Sequence, residues 1–412
     1  MIFNYTLKNG IRVVVNKLPG MFSSSIGILV GVGSTSETPE ESGISHFIEH
    51  VTFKGTKKRT SFDISNESDM LGAQINAYTS KEMTCYYIKS TSDHTDKAFE
   101  ILSDIFVNSV YKREELDRER GVIIEEINMY EDTPDDVCVE LLSQAYFGEL
   151  GFGAPILGPK ENIKRFTKKD VNAFKRKYYT TDNIVVSVSG GVDEVQFLEL
   201  CEKYLGGLKA SKKEQKPAYN TINLQKHLSK HKDIEQVHFA IAYPGVEFLS
   251  SHADAFLIAS AVLGGGMSSR LYQTVREKLG LCYSIYSYAS SSSNCGSAMI
   301  YAGVNAESIN PAFDAVMTEL KKLKAEGICD EEFIRSREQM KSSLVFAQES
   351  TVSQMLLYGK RLLLVNEHFD FAKRFEEITT ITKNDVNGYI DGLLNVDSIA
   401  TAVVGRNAKP LK

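Results

Sequence analysis

The 412-residue sequence lacks tryptophan altogether and contains only six cysteines and eight histidines. The cysteines are scattered and form no Cys-x-x-Cys pair, which argues against both a disulfide framework and a cysteine-bound metal. No apolar run reaches the length that crosses a bilayer, and the N-terminus lacks the basic head and continuous apolar core of a signal peptide. We therefore expect reduced thiols and a cytoplasmic protein that does not bind membranes.

The chain also lacks a strong positive charge. Its formal net charge is −6, which gives no reason to expect nucleic acid or an anionic membrane as a partner. A composition of 42% hydrophobic and 24% charged residues is typical of a soluble globular protein. At this length the chain is expected to form two domains or one large one.

An internal duplication favours two domains. The stretch TKKDVNAFKRKYYTTDNIVVSVSGG, residues 167–191, aligns without gaps with TKNDVNGYIDGLLNVDSIATAVVGR, residues 382–406. Each predicts a helix capped by Thr with Asp three residues later, followed by a turn and a β-branched strand. The spacing between the copies far exceeds a solenoid repeat, so we predict two domains of one fold.

The charged, proline-containing stretch between the copies predicts a linker at 211–225, between a first domain at 1–210 and a second at 226–412. Each half mixes alternating segments such as IRVVVNK and VHFAIAYP with amphipathic helices. The predicted fold class is therefore α+β, present twice.

The stretch GISHFIEHVTFKGT contains His46 and His50 four residues apart, with Glu49 three residues after His46. On a helix these three side chains share one face. Zinc binds imidazole and carboxylate ligands in tetrahedral geometry, and H-x-x-E-H is the inverse of the H-E-x-x-H zinc motif. We predict that His46 and His50 bind the metal and that Glu49 takes the proton of the attacking water; the alternative is a surface cluster without a metal.

A third ligand is sought in REELDRERGVIIEEINMYEDTPDD, where Glu119 and Glu126 are seven residues apart and share a helix face. The alternative interpretation of this glutamate-rich stretch is a solvated acidic helix. The missing ligand favours the functional interpretation.

Four stretches together resemble one known family: GISHFIEHVTFKGT, GAQINAYTSKEMTCYY, DRERGVIIEEI and LGGGMSSRLYQTVREKLGLCYSIYS. In this order they are similar to the pitrilysin/insulinase family of zinc metallopeptidases, and most similar to its short two-domain members related to the mitochondrial processing peptidase β-subunit. The resemblance covers essentially the whole chain. It implies two homologous domains, each a largely antiparallel mixed sheet packed against helices, with one zinc ion per chain and hydrolysis of peptide bonds.

The resemblance also assigns roles within the first domain. It places the third zinc ligand at Glu126, with the adjacent Glu125 as the competing residue, and it gives Glu119 the supporting role of a residue that orients a ligand. The family binds substrate as an added strand, so Asn76 and Ala77 would supply backbone hydrogen bonds. Without the resemblance, their segment fits an ordinary hairpin strand equally well.

In the second domain the resemblance matches Arg276 and Tyr283 to an Arg/Tyr pair that steadies substrate near the metal. The glycine-rich stretch LGGGMSSRL resembles a substrate-contacting loop of the processing peptidase's partner subunit; its pattern predicts a turn before a helix. The family encloses substrate in a chamber of four such domains. A homodimer is therefore expected, with Arg276 and Tyr283 of one chain facing the zinc of the other.

Pro134 predicts the first turn of a helix on which Asp136 and Glu140 share one face. They fall where the resemblance places an acidic pair that holds a substrate arginine, and two carboxylates at this spacing suit a guanidinium. The alternative is that they only favour the helix dipole.

Two functions are weighed. One is an active zinc endopeptidase, either a processing enzyme with a preference for arginine or a general degrader of small peptides. The other is a non-catalytic scaffold subunit of the same fold. Because no member of the metal constellation is missing, the sequence favours the enzyme.

Overall fold

A computed structural model describes residues 1–219, 221 and 223–411. Asn220 and Ile222, inside the predicted linker, and Lys412, at the end of the second predicted domain, lie outside the described residues. Among the residues that the structure describes, no helix is both long enough and apolar enough to cross a lipid bilayer.

The strands are β1 (Ile2–Thr6), β2 (Arg12–Lys17), β3 (Ser23–Val30), β4 (Gln74–Thr79), β5 (Thr84–Thr91), β6 (Ile184–Gly190), β7 (His227–His231), β8 (Gln236–Pro244), β9 (Cys282–Ser291), β10 (Gly296–Asn305) and β11 (Ala400–Gly405).

The helices are α1 (Ile44–Thr52), α2 (Ser61–Met70), α3 (Thr95–Asn108), α4 (Arg113–Asp132), α5 (Pro134–Phe147), α6 (Lys160–Arg165), α7 (Lys168–Tyr178), α8 (Glu194–Leu205), α9 (Ala253–Gly264), α10 (Ile309–Glu326), α11 (Asp330–Ala347), α12 (Thr351–Val365), α13 (Phe371–Thr380) and α14 (Lys383–Leu393), and a π-helical turn spans Tyr272–Lys278.

The two sheets repeat one topology. The first has the strand order β1-β2-β6-β3-β5-β4, and the second has the order β7-β11-β8-β10-β9. In each sheet one neighbouring pair is parallel, β2 with β6 and β7 with β11, and the other pairs are antiparallel. Strands β2, β6, β3, β5 and β4 thus correspond to β7, β11, β8, β10 and β9. The α+β class and the two mixed, largely antiparallel sheets are confirmed.

The duplicated helix–strand unit is also confirmed in its local detail. Thr167 caps α7 in a capping box with Asp170, and Thr382 caps α14 in the same way with Asp385. In both copies the helix is followed by a strand that is buried along its whole length, β6 in the first and β11 in the second. A strand buried on both faces requires packing partners on both sides of its sheet.

Those partners come from an exchange of helices between the two halves of the chain. Compact unit 1 comprises Met1–Ile127, Pro155–Ala218 and Val345–Phe369, and unit 2 comprises Asn128–Ala154, Tyr219–Leu344 and Asp370–Lys412. Helix α12 therefore belongs to unit 1, although it lies late in the sequence, and α5 belongs to unit 2. The predicted domains at 1–210 and 226–412, with a linker at 211–225, had placed α5 in the first domain and α12 in the second.

Helix α12 packs against β3 and β6. Ser187 Oγ donates a hydrogen bond of 2.7 Å to the Met355 carbonyl oxygen, and Asn16 Nδ2 donates one of 2.6 Å to Gln354 Oε1. Glycines allow the close approach: a Cβ on Gly359 would lie 2.9 Å from both Leu29 Cδ1 and Ser187 Cβ. The helix thereby covers the face of the first sheet that its own half of the chain leaves open.

Two glycine-to-alanine changes in helices test this packing. Gly359→Ala should lower the unfolding free energy by about 1–3 kcal/mol, because the added methyl overpacks the α12 interface. Gly388→Ala in α14, where a Cβ would meet nothing within 4 Å, should instead stabilise by about 0.5–1 kcal/mol through helix propensity alone. Urea or thermal unfolding measures both; equal effects of the two changes would contradict the tight α12 interface.

Candidate metal centre

Helix α1 is amphipathic, with an apolar face and an opposite face that carries the motif residues. Ile44, Phe47, Ile48 and Val51 follow the i, i+3, i+4, i+7 spacing of one helix face, and each is at most 1% exposed. The opposite positions are those of the H-x-x-E-H motif, residues 46, 49 and 50. Burial of the apolar face in the unit 1 core therefore fixes the direction in which the motif points.

The structure brings His46, His50 and Glu126 together, with Glu126 supplied by α4. Glu126 Oε2 lies 3.4 Å from His50 Nε2 and 3.7 Å from His46 Nε2. Two atoms bonded to a tetrahedral zinc at about 2.0–2.1 Å lie about 3.3–3.4 Å apart, so this donor set fits zinc in both chemistry and spacing. The competing residue, Glu125, is exposed on the same helix and is not part of the cluster.

Burial and the charge of His50 lower the pKa of His46 to about 4, which keeps its imidazole neutral, as a metal ligand must be. Burial opposes the charged form of His50, but hydrogen bonds to Glu119 and Glu126 outweigh it and raise its pKa to about 9. The hydrogen bond from His50 in turn lowers the pKa of Glu126. A cation at this point would therefore replace a proton on His50.

Glu119 lies behind His50, on the side away from Glu126. Its Oε2 is 3.2 Å from His50 Nδ1, and its Oε1 is 2.8 Å from Lys54 Nζ. With the proton of His50 on Nδ1, bonded to Glu119, the Nε2 lone pair is directed towards Glu126 and the metal position. The sequence analysis did not identify Lys54. The only feature of the sequence that points to it is its position four residues after His50.

Glu49 is held by a residue that the sequence analysis also missed. Thr79 Oγ1, at the end of β4, donates a hydrogen bond of 2.6 Å to Glu49 Oε2. Burial raises the pKa of Glu49, and the Thr79 bond opposes that rise. The hydroxyl of Thr79 thus fixes one carboxylate oxygen of Glu49. Nothing in the sequence pattern pairs these residues, which are 30 positions apart.

Asn76 and Ala77 lie on β4, at the edge of the first sheet, where β5 is its only partner among the described residues. The Ala77 N–H donates to Asn76 Oδ1 at 2.8 Å and so lies outside the ladder with β5. This backbone group faces the open edge. The same strand therefore presents a free edge and ends at the threonine that holds Glu49.

In unit 2 the structure brings Arg276 and Tyr283 together. Arg276 Nε donates a hydrogen bond of 2.9 Å to the Tyr283 carbonyl oxygen, and its guanidinium lies 5.9 Å from the Tyr283 ring centroid. The sequence analysis missed Tyr272. Its ring centroid lies 4.6 Å from the Arg276 guanidinium carbon, and its hydroxyl accepts a hydrogen bond from Arg276.

Both residues of this pair lie in irregular backbone. Arg276 is in the π-helical turn Tyr272–Lys278. Tyr283 is the extra residue of a β-bulge, because Ser284 pairs with Gly303 and Cys282 with Val304. Tyr283 is 79% exposed. Such irregularities re-aim side chains and are frequent next to functional sites.

The remaining predicted residues of unit 2 lie as follows. The glycine-rich stretch forms the turn between α9 and the π-helical turn, as predicted. Asp136 and Glu140 lie four apart on α5, which begins at Pro134. Asp136 as a whole residue is exposed, but partial desolvation of its carboxyl group, together with the charge of Asp135, raises its pKa.

Comparisons with known proteins agree with this geometry. Residues 12–160 match the family described as Insulinase (Peptidase family M16), and residues 165–340 match the Peptidase M16 inactive domain. The chain is 39% identical over 400 residues to YmxG of Bacillus subtilis, named as an uncharacterized zinc protease, covering 96% of this chain and 97% of that protein. The chain is also 34% identical over 388 residues to a Streptomyces coelicolor protein that is likewise named as an uncharacterized zinc protease. That match covers 92% of this chain and 84% of the Streptomyces protein.

Solved structures share the fold. A protease from Helicobacter pylori superposes with a TM-score of 0.90 at 24% identity, covering 98% of this chain and 99% of that one. A peptidase M16 inactive domain from Pseudomonas fluorescens gives a TM-score of 0.91 at 18% identity over the full length of both chains. Taken with the full-length relatives, these matches show that the chain belongs to the insulinase family of peptidases, family M16.

Proposed function

We propose that the protein is a zinc-dependent endopeptidase that hydrolyses peptide bonds in extended peptides or precursor segments. The observation that carries the proposal is the convergence of His46, His50 and Glu126 at the spacing of zinc ligands, with Glu49 on the same helix. Family membership and the names of the relatives agree with it. A scaffold subunit would have no need of this complete donor set.

A zinc ion held by His46, His50 and Glu126 would lower the pKa of a water molecule and polarise the scissile carbonyl. Glu49 accepts the proton of the attacking water at Oε1, the oxygen that the Thr79 hydroxyl does not bond, and returns it to the leaving amine, a role typically worth about 10²–10⁴-fold. Thr79 keeps the other oxygen in place during both transfers. Glu119, itself paired with Lys54, holds the His50 ring in the tautomer that leaves Nε2 free to bind the metal.

The substrate is proposed to bind as an additional strand on the open edge of β4. The outward-facing N–H of Ala77 supports this mode, since strand addition uses backbone groups of an unpaired edge. The Asn76 side chain, which now accepts that N–H, would have to turn away as the peptide arrives. Backbone recognition of this kind accepts many sequences.

We also propose that the protein acts as a homodimer and that Arg276 and Tyr283 steady the bound peptide. The support for their role is local: the π-helical turn and the bulge hold the guanidinium and the exposed phenol side by side. A guanidinium and a phenol can both donate to a carbonyl or an oxyanion.

Zinc content and turnover should separate in two variants. Glu49→Gln should keep about one zinc per chain yet lose nearly all activity, because it removes the base but no ligand. His50→Ala should lose the metal, because the two remaining ligands, His46 and Glu126, are too few to hold zinc. Metal analysis and a peptide assay with and without chelator measure this; a Glu49→Gln variant with substantial turnover would show that the assigned base is wrong.

A preference for substrates with arginine near the cleavage site can be tested by changing the acidic residues of α5. Changing Asp136 and Glu140 to Asn and Gln should lower kcat/KM for peptides with Arg near the cleavage site by about tenfold or more, the scale of one lost charged hydrogen bond. Asp135→Asn, which removes a neighbouring first-turn charge, is the matched control and should have little effect. An equal loss on peptides without Arg, or an equal loss in the control, would reduce the pair to helix stabilisation.

Completion of the site between chains is tested by mixing. Inactive Glu49→Gln chains combined with inactive Arg276→Ala chains should regain activity, because a mixed dimer would contain one site with both an intact base and an intact arginine. Subunit exchange is verified by mass spectrometry of the native dimers. No recovery in dimers shown to exchange would place both residues in a site formed by a single chain, and a strictly monomeric active enzyme would overturn the dimer proposal.

A further inference from the structure

We propose that Glu37 is a positioning residue for the metal centre: its carboxylate fixes the N-terminal end of α1 and thereby the place of His46. The inference rests on the proposed zinc-dependent function. Glu37 follows the short 3-10 turn Ser34–Ser36, accepts two backbone N–H groups at the start of α1, and belongs to none of the motifs that mark the site.

The carboxylate caps α1 with both oxygens. Glu37 Oε2 accepts the N–H of Gly43 at 2.8 Å, and Oε1 accepts the N–H of Ser45 at 2.8 Å. The N–H of Ile44, between them, is bonded to the backbone carbonyl of Glu41 at 2.8 Å. Three successive donors at the start of the helix are thus satisfied from the segment that precedes it, two of them by one side chain.

The helix cannot be capped in the ordinary way. Its N-cap position is Gly43, with φ +92°, a conformation that side chains rarely adopt. A Cβ at Gly43 would also lie only 2.6 Å from the Leu157 carbonyl oxygen. The Ser, Thr, Asp or Asn that usually caps a helix from this position is therefore excluded. Glu37, six residues upstream, takes over that function from outside the helix.

The position of the cap matters because α1 is only nine residues long and its first turn carries a ligand. His46 is the third residue of the helix and directly follows Ser45, whose N–H is bonded to Glu37. A change in the first turn is therefore transmitted to His46 with almost no intervening chain. Groups that hydrogen-bond a ligand side chain typically alter metal affinity by about 10–100-fold when removed, and we expect a cap bonded one residue before His46 to act at the lower end of that range.

Burial and hydrogen bonding act on the Glu37 carboxyl group in opposite directions. The side chain is almost completely buried, and this burial raises its pKa to about 7, while the bonds from Ser45 and Gly43 oppose the rise. A negative carboxylate at a helix N-terminus is favoured by the helix dipole. A neutral amide of the same size keeps one acceptor oxygen but turns an NH₂ group towards the second backbone N–H.

The test compares Glu37→Gln with Glu41→Gln. Glu41 is in the same segment, but its side chain binds Lys177 at 2.6 Å and the N–H of Thr38 at 3.2 Å, and not the start of α1. Zinc affinity is measured by competition with a chelator. We expect about tenfold or greater weakening in Glu37→Gln and less than about twofold in the control. With saturating zinc, kcat should fall while KM stays near the wild-type value, because the β4 edge is unchanged.

Amide exchange in the wild-type protein without zinc gives a second measurement that needs no variant. The N–H groups of Gly43 and Ser45 should exchange slowly compared with first-turn amides of a helix on the surface such as α13. Fast exchange at both positions, or zinc affinity of Glu37→Gln within twofold of wild type, would overturn the positioning role. Wild-type protein that binds no zinc would instead contradict the proposed function, so the two failures are distinguishable.

Discussion

The structure of the centre depends on the burial of one face of α1. Four apolar side chains enter the core of unit 1, and this fixes the rotation of the helix about its axis. His46, Glu49 and His50 then have only one direction available, towards α4 and the end of β4. A rotation of even one residue position, about 100°, would expose apolar surface and bury charge at the same time. Hydrophobic packing thus does the orienting, and the polar contacts refine it.

Polar contacts hold the motif from three sides. Glu119 and Lys54 fix the ring of His50, Thr79 fixes one oxygen of Glu49, and Glu37 holds the start of the helix. Glu119 lies on α4, Thr79 on β4, Lys54 just after α1 and Glu37 in the segment before α1, so the centre is assembled from four parts of the chain around α1. Groups held in this way need little reorganisation when a metal or substrate arrives, and preorganisation is the main contribution a protein makes to such chemistry.

The duplicated fold gives its two copies different chemistry. Apart from the additional strand β1 in unit 1, both units have the same order of strands, but among the described residues only unit 1 brings together a cluster of metal-binding groups. At the corresponding edge, where unit 1 has the regular strand β4, unit 2 has β9 with its bulge at Tyr283, next to the π-helical turn of Arg276. The irregular backbone at this edge distinguishes the second copy from the first.

Local pattern in the sequence was enough to predict the α+β class, the duplicated capped helix and strand, and the helical faces that carry His46, His50 and Glu126, because these depend on residues within a few positions of one another. The resemblance to a family added the choice of Glu126 over Glu125, which the exposure of Glu125 supports. Only the tertiary structure decided which helix covers which sheet, since the contacts of α12 with β3 and β6 join residues far apart in the chain. The same holds for Thr79, Lys54 and Glu37: each acts through a partner outside its own local pattern, and no periodicity in a sequence records a contact that only folding creates.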